Sequence, residues 1–359
     1  MARGERGRGR SEAAAGSCKP VWVLLGNRSG DNNQLLAVAE ALGLPYDVIQ
    51  LRFIDTSRSN VLLGASTRGI RNPQDLPAGS PRLVLSVGRR SPPVARWIRK
   101  RSGGTARLVH FGRPWGPTKW FDLVVTTPQY GLPARPNVLC NRMPFLSTAR
   151  PHDEAALSEQ VARLPRPWTV LLVGGRSRPY VFNEHVAAAL ADHADRRAQQ
   201  LGGSLLLIPS PRTPPPCVEL MSARLTVPSY TYRRDAEVNP YRTLLTAGDR
   251  FIVTCDSATM VSEALVLSGK PVELYRLPTR FSRKLTRVSA WERLAVHSGL
   301  ARWLLQWAQW LGFVTFTRNL GAFYRELELQ GVFSGTQDAA ALARKEQQAT
   351  LERIAALLR

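Results

Sequence analysis

At 359 residues, with 44% apolar and 8% aromatic side chains, the chain has the length for two domains with ordinary cores. Its 49 Lys and Arg stand against 27 Asp and Glu, a net charge of +22, and only six of the cations are Lys. Such a surface seeks anions, and no Cys/His finger or basic-aromatic nucleic-acid module accompanies it. An acidic membrane surface and phosphorylated small molecules are therefore expected ahead of nucleic acid.

The cysteines Cys18, Cys140, Cys217 and Cys255 are scattered without a CxxC pair, so neither a disulfide scaffold nor a metal site is indicated and a reducing compartment is expected. Residues 1–19 are basic and lack an apolar stretch, which reads as a disordered tail rather than a secretory signal.

A first strand is expected at 20–25, followed by a loop with Gly30, Asp31, Asn32 and Gln34 and a helix to about Leu42. Glycine between a first strand and a first helix permits close backbone approach to a ligand, although a capped turn explains the same residues. The spacing is not GxGxxG, so no dinucleotide is implied. A strand at 83–87 runs into Gly88, Arg89 and Arg90 before a helix at 94–100. Paired arginines at a strand end suit a phosphate or carboxylate, or simply solvent. His110 ends a strand at 108–111, where it reads as a base or as a structural histidine, and another strand follows at 123–126. Alternating strands and helices make 20–150 one doubly wound domain.

The second half repeats the pattern over 151–279. A strand at 168–173 enters Gly174, Gly175, Arg176 and Ser177 before a helix at about 183–200, and a strand at 205–208 leads to Ser210, Arg212 and Thr213. A strand from 251 ends at Asp256 and Ser257, and its helix carries Met260 and Glu263. Asp256 or Ser257 can cap that helix or help it receive an anion. Loops of one chemistry on one edge of one sheet weigh more than any loop alone.

From 280 to 318 the chain is basic and rich in tryptophan, with Trp291, Trp303, Trp307 and Trp310. The last three follow at i, i+4 and i+7, one face of a helix. The apolar run falls short of the ~20 residues a membrane span requires, so an amphipathic insert lying on an anionic bilayer is expected, with packing inside the protein as the alternative. Residues 319–359 read as C-terminal helices packing back on the domains.

The segments GDNNQ (30–34), SVGRR (86–90), VGGRS (173–177), S-x-R-T-P (210–214), NPY (239–241) and DSATMVSEALVLSGKPV (256–272) occur in the order found in the elongated-mitochondria family of fission factors and their bacterial relatives, which the chain resembles over about 20–275. The resemblance implies an α/β fold of the GT-B glycosyltransferase kind, two Rossmann-like domains facing across a cleft. The nearest comparison is the peptidoglycan enzyme that adds N-acetylglucosamine to a membrane lipid. It implies a nucleotide diphosphate sugar as substrate, no cofactor or metal, a lipid-linked or envelope-glycan acceptor, and a cytoplasmic place at the inner membrane. By the same likeness Gly174, Gly175, Arg176 and Ser177 approach the diphosphate, with Ser210, Arg212, Thr213 and Asp256 beside them. Ser257 and Met260 line the nucleotide pocket and Glu263 accepts from the ribose. Gly30, Asn32, Gln34, Gly88, Arg89 and Arg90 face the acceptor, and Asp31 stands ahead of His110 as general base. The first loop departs from the comparison enzyme's glycine-glycine-histidine pattern. Eukaryotic members recruit fission machinery, so a non-catalytic adaptor is the alternative, with a nucleotide-sugar epimerase as a third.

Overall fold

The computed structural model describes residues 19–54, 60–147, 157–233, 239–279 and 318–359. The tail at 1–18 and the tryptophan-rich insert, apart from Arg318 at its end, lie outside the described residues.

The first half contains strands β1 (Val21–Leu25), β2 (Tyr46–Gln50), β3 (Leu83–Val87), β4 (Arg107–Phe111), β5 (Leu123–Thr126) and β6 (Val138–Cys140). They form one parallel sheet in the order β2-β1-β3-β4-β5-β6. Helices α1 (Ser29–Ala41), α2 (Asn60–Leu63) and α3 (Pro92–Arg101) connect them. β1 and β3 are buried along their whole length, as expected of strands covered on both faces. One face of the sheet packs Val23, Leu85, Val109 and Phe111 against α1, and the other packs Leu24, Val84 and Leu108 against α3.

The second half contains α4 (Glu159–Ala162), β7 (Trp168–Val173), α5 (Glu184–Leu201), β8 (Ser204–Pro209), α6 (Pro215–Ala223), β9 (Ser229–Thr231), α7 (Tyr241–Ala247), β10 (Arg250–Thr254), α8 (Ala258–Ser268) and β11 (Val272–Tyr275). Its parallel sheet runs β11-β10-β7-β8-β9. The sequence shows α5 by its apolar spacing, and Asn183 caps it by accepting from the Val186 N–H at 3.0 Å. α6 is harder to see, because Pro214 to Pro216 resemble a loop. Proline at a first helical position is in fact compatible with a helix, its φ already being set.

Two helices close the chain, α9 (Leu320–Leu329) and α10 (Ala339–Ala356). α10 serves both halves: Ala339 and Ala343 pack in the second core, while Ile354 is fully buried in the first. Glu346 on α10 accepts from the backbone N–H of Arg142 at 2.9 Å and of Met143 at 3.3 Å, and Arg142 in turn reaches Glu326 on α9 at 3.2 Å.

In each sheet the strand order reverses once beside the first strand. In the first sheet this falls between β1 and β3, and in the second between β7 and β10. The carboxyl ends of strands at such a reversal leave a crevice, the usual place for a ligand in open α/β sheets.

Candidate functional site

The crevice of the second sheet is built by Gly174 and Gly175 after β7, Ser210 to Thr213 after β8, and Asp256 and Ser257 after β10. A Cβ on Gly174 would overlap the Asp256 carboxylate, well inside the 3.0 Å that Cβ atoms essentially never breach. Gly175 adopts φ +116°, and a Cβ there would strike the backbone of Arg212 and Thr213. Glycine is thus required twice, once to admit a carboxylate and once to let two loops touch.

The contacts behind the glycines are dense. Gly174 N–H donates to Thr254 Oγ1 at 2.8 Å, and that hydroxyl donates to Asp256 Oδ1 at 2.7 Å. The Arg212 guanidinium lies 3.0 Å from Asp256 Oδ2, whose side chain is wholly enclosed. Burial pushes the Asp256 carboxyl up, against the opposing pull of Arg212 and Thr254. The Ser210 hydroxyl donates to Gly174 O, and the Thr213 hydroxyl donates to the carbonyls of Val173 and Gly174 at 3.1 Å each. Ser210 and Thr213 therefore fasten one loop to the other, while Arg176 and Arg212 stay exposed at the rim. Arg176 also lines a cavity of about 320 Å³ with Asn183, His185 and Cys217, in front of the α5 N-terminus. Ser177 is half-buried in the loop leading there, its carbonyl accepting from the Tyr180 N–H at 2.8 Å.

Ser257 caps α8, its Oγ accepting from the Met260 N–H at 3.4 Å, and Met260 is buried. Glu263 lies almost two turns along the same helix. It is 8% exposed and accepts a 2.5 Å hydrogen bond from the Tyr241 hydroxyl. Burial raises the carboxyl, with Tyr241 and Arg242 acting in the other direction. Glu263 thus already has an internal donor, supplied by the NPY segment.

On the facing wall, α1 starts where β1 ends. Asn32 turns back to grip Gly26, accepting from its N–H at 2.8 Å and donating to its carbonyl at 2.9 Å. That side chain therefore fixes the loop. Gly30 approaches the start of α8 so closely that a Cβ would sit 3.5 Å from Thr259 Oγ1. The two halves thus meet helix start to helix start, each with outward N–H groups. Asp31 is 21% exposed there, with Arg318 at 3.8 Å. Gln34 is half-buried one turn further on. Gly88 takes φ +78° at the end of β3. Arg89 lies over the Trp115 ring at 5.2 Å and Arg90 over Phe53 at 5.9 Å, so both are engaged with aromatic faces.

His110 is elsewhere. It is fully buried under α3, its Nδ1 3.0 Å from Ser86 Oγ and its ring tilted against Phe121. Burial lowers its pKa to about 3, with the Arg113 backbone acting in the opposite sense. A base at that position has no route to a substrate in the crevice; of the two readings of His110, its enclosure within the sheet layer favours the structural histidine over the base. Of the two proposed bases, only Asp31 faces the meeting of the halves. Sequence inspection missed Thr254, Tyr241 and Arg318. NPY and the polar end of β10 gave a signal for the first two, but Arg318 gave none.

Among the described residues no three His, Cys, Asp or Glu side chains are grouped to hold a metal ion, and no helix is long and apolar enough to cross a membrane.

Comparison with solved structures agrees with the architecture. The UDP-GlcNAc 2-epimerase from Methanocaldococcus jannaschii aligns with a TM-score of 0.50 at 11% identity, covering 92% of this chain and 99% of that one. Glycosyltransferases also occur among the matched structures. The fold is the GT-B arrangement of two Rossmann-like domains. In sequence, the chain is 24% identical over 306 residues to the uncharacterized protein RP120 of Rickettsia prowazekii (strain Madrid E), covering 74% of this chain and 85% of that protein. It is 28% identical over 240 residues to the mitochondrial fission protein ELM1 of Arabidopsis thaliana, covering 59% of this chain and 56% of the plant protein. The family description "Mitochondrial fission ELM1" matches residues 29–311. The chain belongs to the mitochondrial fission ELM1 family.

Proposed function

We propose that the protein binds a nucleotide diphosphate sugar in the crevice of the second sheet and transfers the sugar to a lipid-linked or envelope-glycan acceptor at the cytoplasmic face of a membrane. The observation that carries this is the convergence of Gly174-Gly175, Arg212 and the capped start of α8 at the strand-order reversal. Backbone N–H groups, a helix N-terminus and the rim arginines Arg176 and Arg212 together neutralise a leaving diphosphate without a metal. In this reading the nucleoside lies along α8, toward Met260 and Glu263. Asp31, across the meeting of the halves, is the general base for the acceptor hydroxyl. The epimerase named above takes UDP-GlcNAc by its name, which supports a nucleotide sugar as the ligand class here. The basic tryptophan-rich sequence of 280–318 supports a peripheral place on anionic lipid.

The test is titration calorimetry of the full chain with uridine, guanosine and cytidine diphosphate sugars. One donor is expected to bind, and Arg212→Gln to weaken it by about tenfold or more. Asp31→Asn is expected to leave binding intact and abolish transfer. Silence from every donor overturns the proposal.

One observation favours a second reading, that of a non-catalytic adaptor. The Asp256 and Glu263 carboxylates already have internal partners in Arg212 and Tyr241. An adaptor keeps its cellular effect in Asp31→Asn and Arg212→Gln and loses it when 280–318 is removed.

A further inference from the structure

We propose that the first-domain wall holds a separate anion subsite, formed by Arg28, Arg113 and Arg318 around Tyr130, which takes the phosphate or diphosphate group of the acceptor. It rests on the donor-site reading above, and it supplies the acceptor's chemical class.

The subsite lies where β1, β4 and β5 end. After β5 a short turn, Pro128–Tyr130, lays the Tyr130 ring on Gly112. A Cβ at Gly112 would come within 3.3 Å of the Tyr130 hydroxyl, and its φ of +84° also favours glycine, so the loop is shaped to receive this ring. Arg113, the next residue, donates from Nη1 to Tyr130 O at 2.9 Å. From the far end of the chain, Arg318 places its guanidinium 5.5 Å from the centre of the same ring. Asn319 N–H donates to Gln129 O at 3.0 Å, which fixes the backbone that carries Arg318. Arg28 precedes α1 and, with Arg318 and Asp31, is near enough to act on the Tyr130 hydroxyl.

The group brings the guanidinium ions of Arg28, Arg113 and Arg318 to one wall, with Asp31 beside Arg318. Arg113 is part-buried beside Tyr130, and that burial pushes its guanidinium down to about 10. A planar guanidinium in a partly dry site matches the oxygen fork of a phosphate, and it does so more strongly than a solvated one. Asp31 is the proposed base, and its ion partner belongs to this same group. An acceptor anchored here by its phosphate would present its hydroxyl beside Asp31, opposite the donor loops.

The experiment is calorimetry of the full chain with inorganic pyrophosphate and with geranyl diphosphate, each in the presence of saturating UDP and 150 mM salt. One further site is expected. Arg318→Gln and Arg113→Gln should each weaken it by about tenfold or more while leaving UDP binding within twofold, and Arg212→Gln should do the reverse. Tighter binding of geranyl diphosphate assigns the phosphate to a lipid, and equal binding assigns it to a soluble acceptor; both support the subsite. Absence of a further site, or a further site indifferent to both arginine substitutions, overturns it. If UDP does not bind but pyrophosphate still depends on Arg318, the donor reading fails and the subsite stands. Arg113 is the more buried of the two, so a melting curve accompanies each variant; Arg318, 39% exposed, gives the test that does not depend on refolding the loop.

Discussion

Gly174→Ala is the sharpest probe of how the crevice is assembled. Gly174 does not have positive φ, so alanine is acceptable to the backbone and the added methyl is the whole perturbation. That methyl needs the space of the Asp256 carboxylate, which cannot swing away without leaving Thr254 and Arg212. Giving up the hydrogen bond from Thr254 to the carboxylate costs about 2 kcal/mol and the half-exposed Arg212 ion pair about 1 kcal/mol, while shifting the strand end instead costs a similar ~1–3 kcal/mol. A loss of about 3 kcal/mol corresponds to a fall in Tm of roughly 6–12 °C for a domain of this size. Differential scanning calorimetry reads the fall directly. The double variant with Asp256→Ser then separates sterics from general fragility. With the carboxylate gone the methyl has room, so a coupling above about 1 kcal/mol is expected. A melt within about 2 °C of the parent, or strictly additive costs in the double variant, refutes this packing of Gly174 on Asp256.

Glu263→Gln keeps an acceptor for Tyr241 while removing a buried charge. The Glu263 carboxyl is raised in the folded protein, so its contribution to stability is fully present below the ordinary carboxylate range and is lost as pH rises through the raised value. The variant should therefore gain on the parent as urea denaturation is repeated from acid to neutral pH; a constant difference would contradict the burial effect. Glu346→Ala strands the N–H groups of Arg142 and Met143 and should cost about 2–3 kcal/mol, with earlier proteolysis of α10. A cost under about 1 kcal/mol would mean that this contact does not hold the helix.

Much of the architecture could be read from one-dimensional patterns. The strands from Leu83 to Val87 and from Trp168 to Val173 are continuous apolar runs because both faces are covered, and the glycines mark where they end. Short edge strands such as β6 and β9, of three residues each, carry too little pattern to stand out. The site divided along the same line. Gly174, Gly175, Arg212 and Asp256 belong to local segments of recognisable form, and they do converge. What those residues bond to was not legible, since Thr254 and Gly174 are 80 positions apart, and Glu346 meets Arg142 across 204. Which of its two readings applies to His110, base or structural histidine, was not legible for a related reason. A polar residue near a strand end faces the crevice or the interior according to register and the helix above it, and here Ser86 and Phe121 hold it inside.

The sharing of α10 bears on how the molecule is made. The first sheet is synthesised early, yet Ile354, and with it the partly buried Leu351 and Leu357, joins that core from more than two hundred positions downstream of β6. During translation the first domain must therefore wait with an open apolar face while the second is produced. Its unfinished surface is a natural client for holdase chaperones until residue 354 has cleared the ribosome.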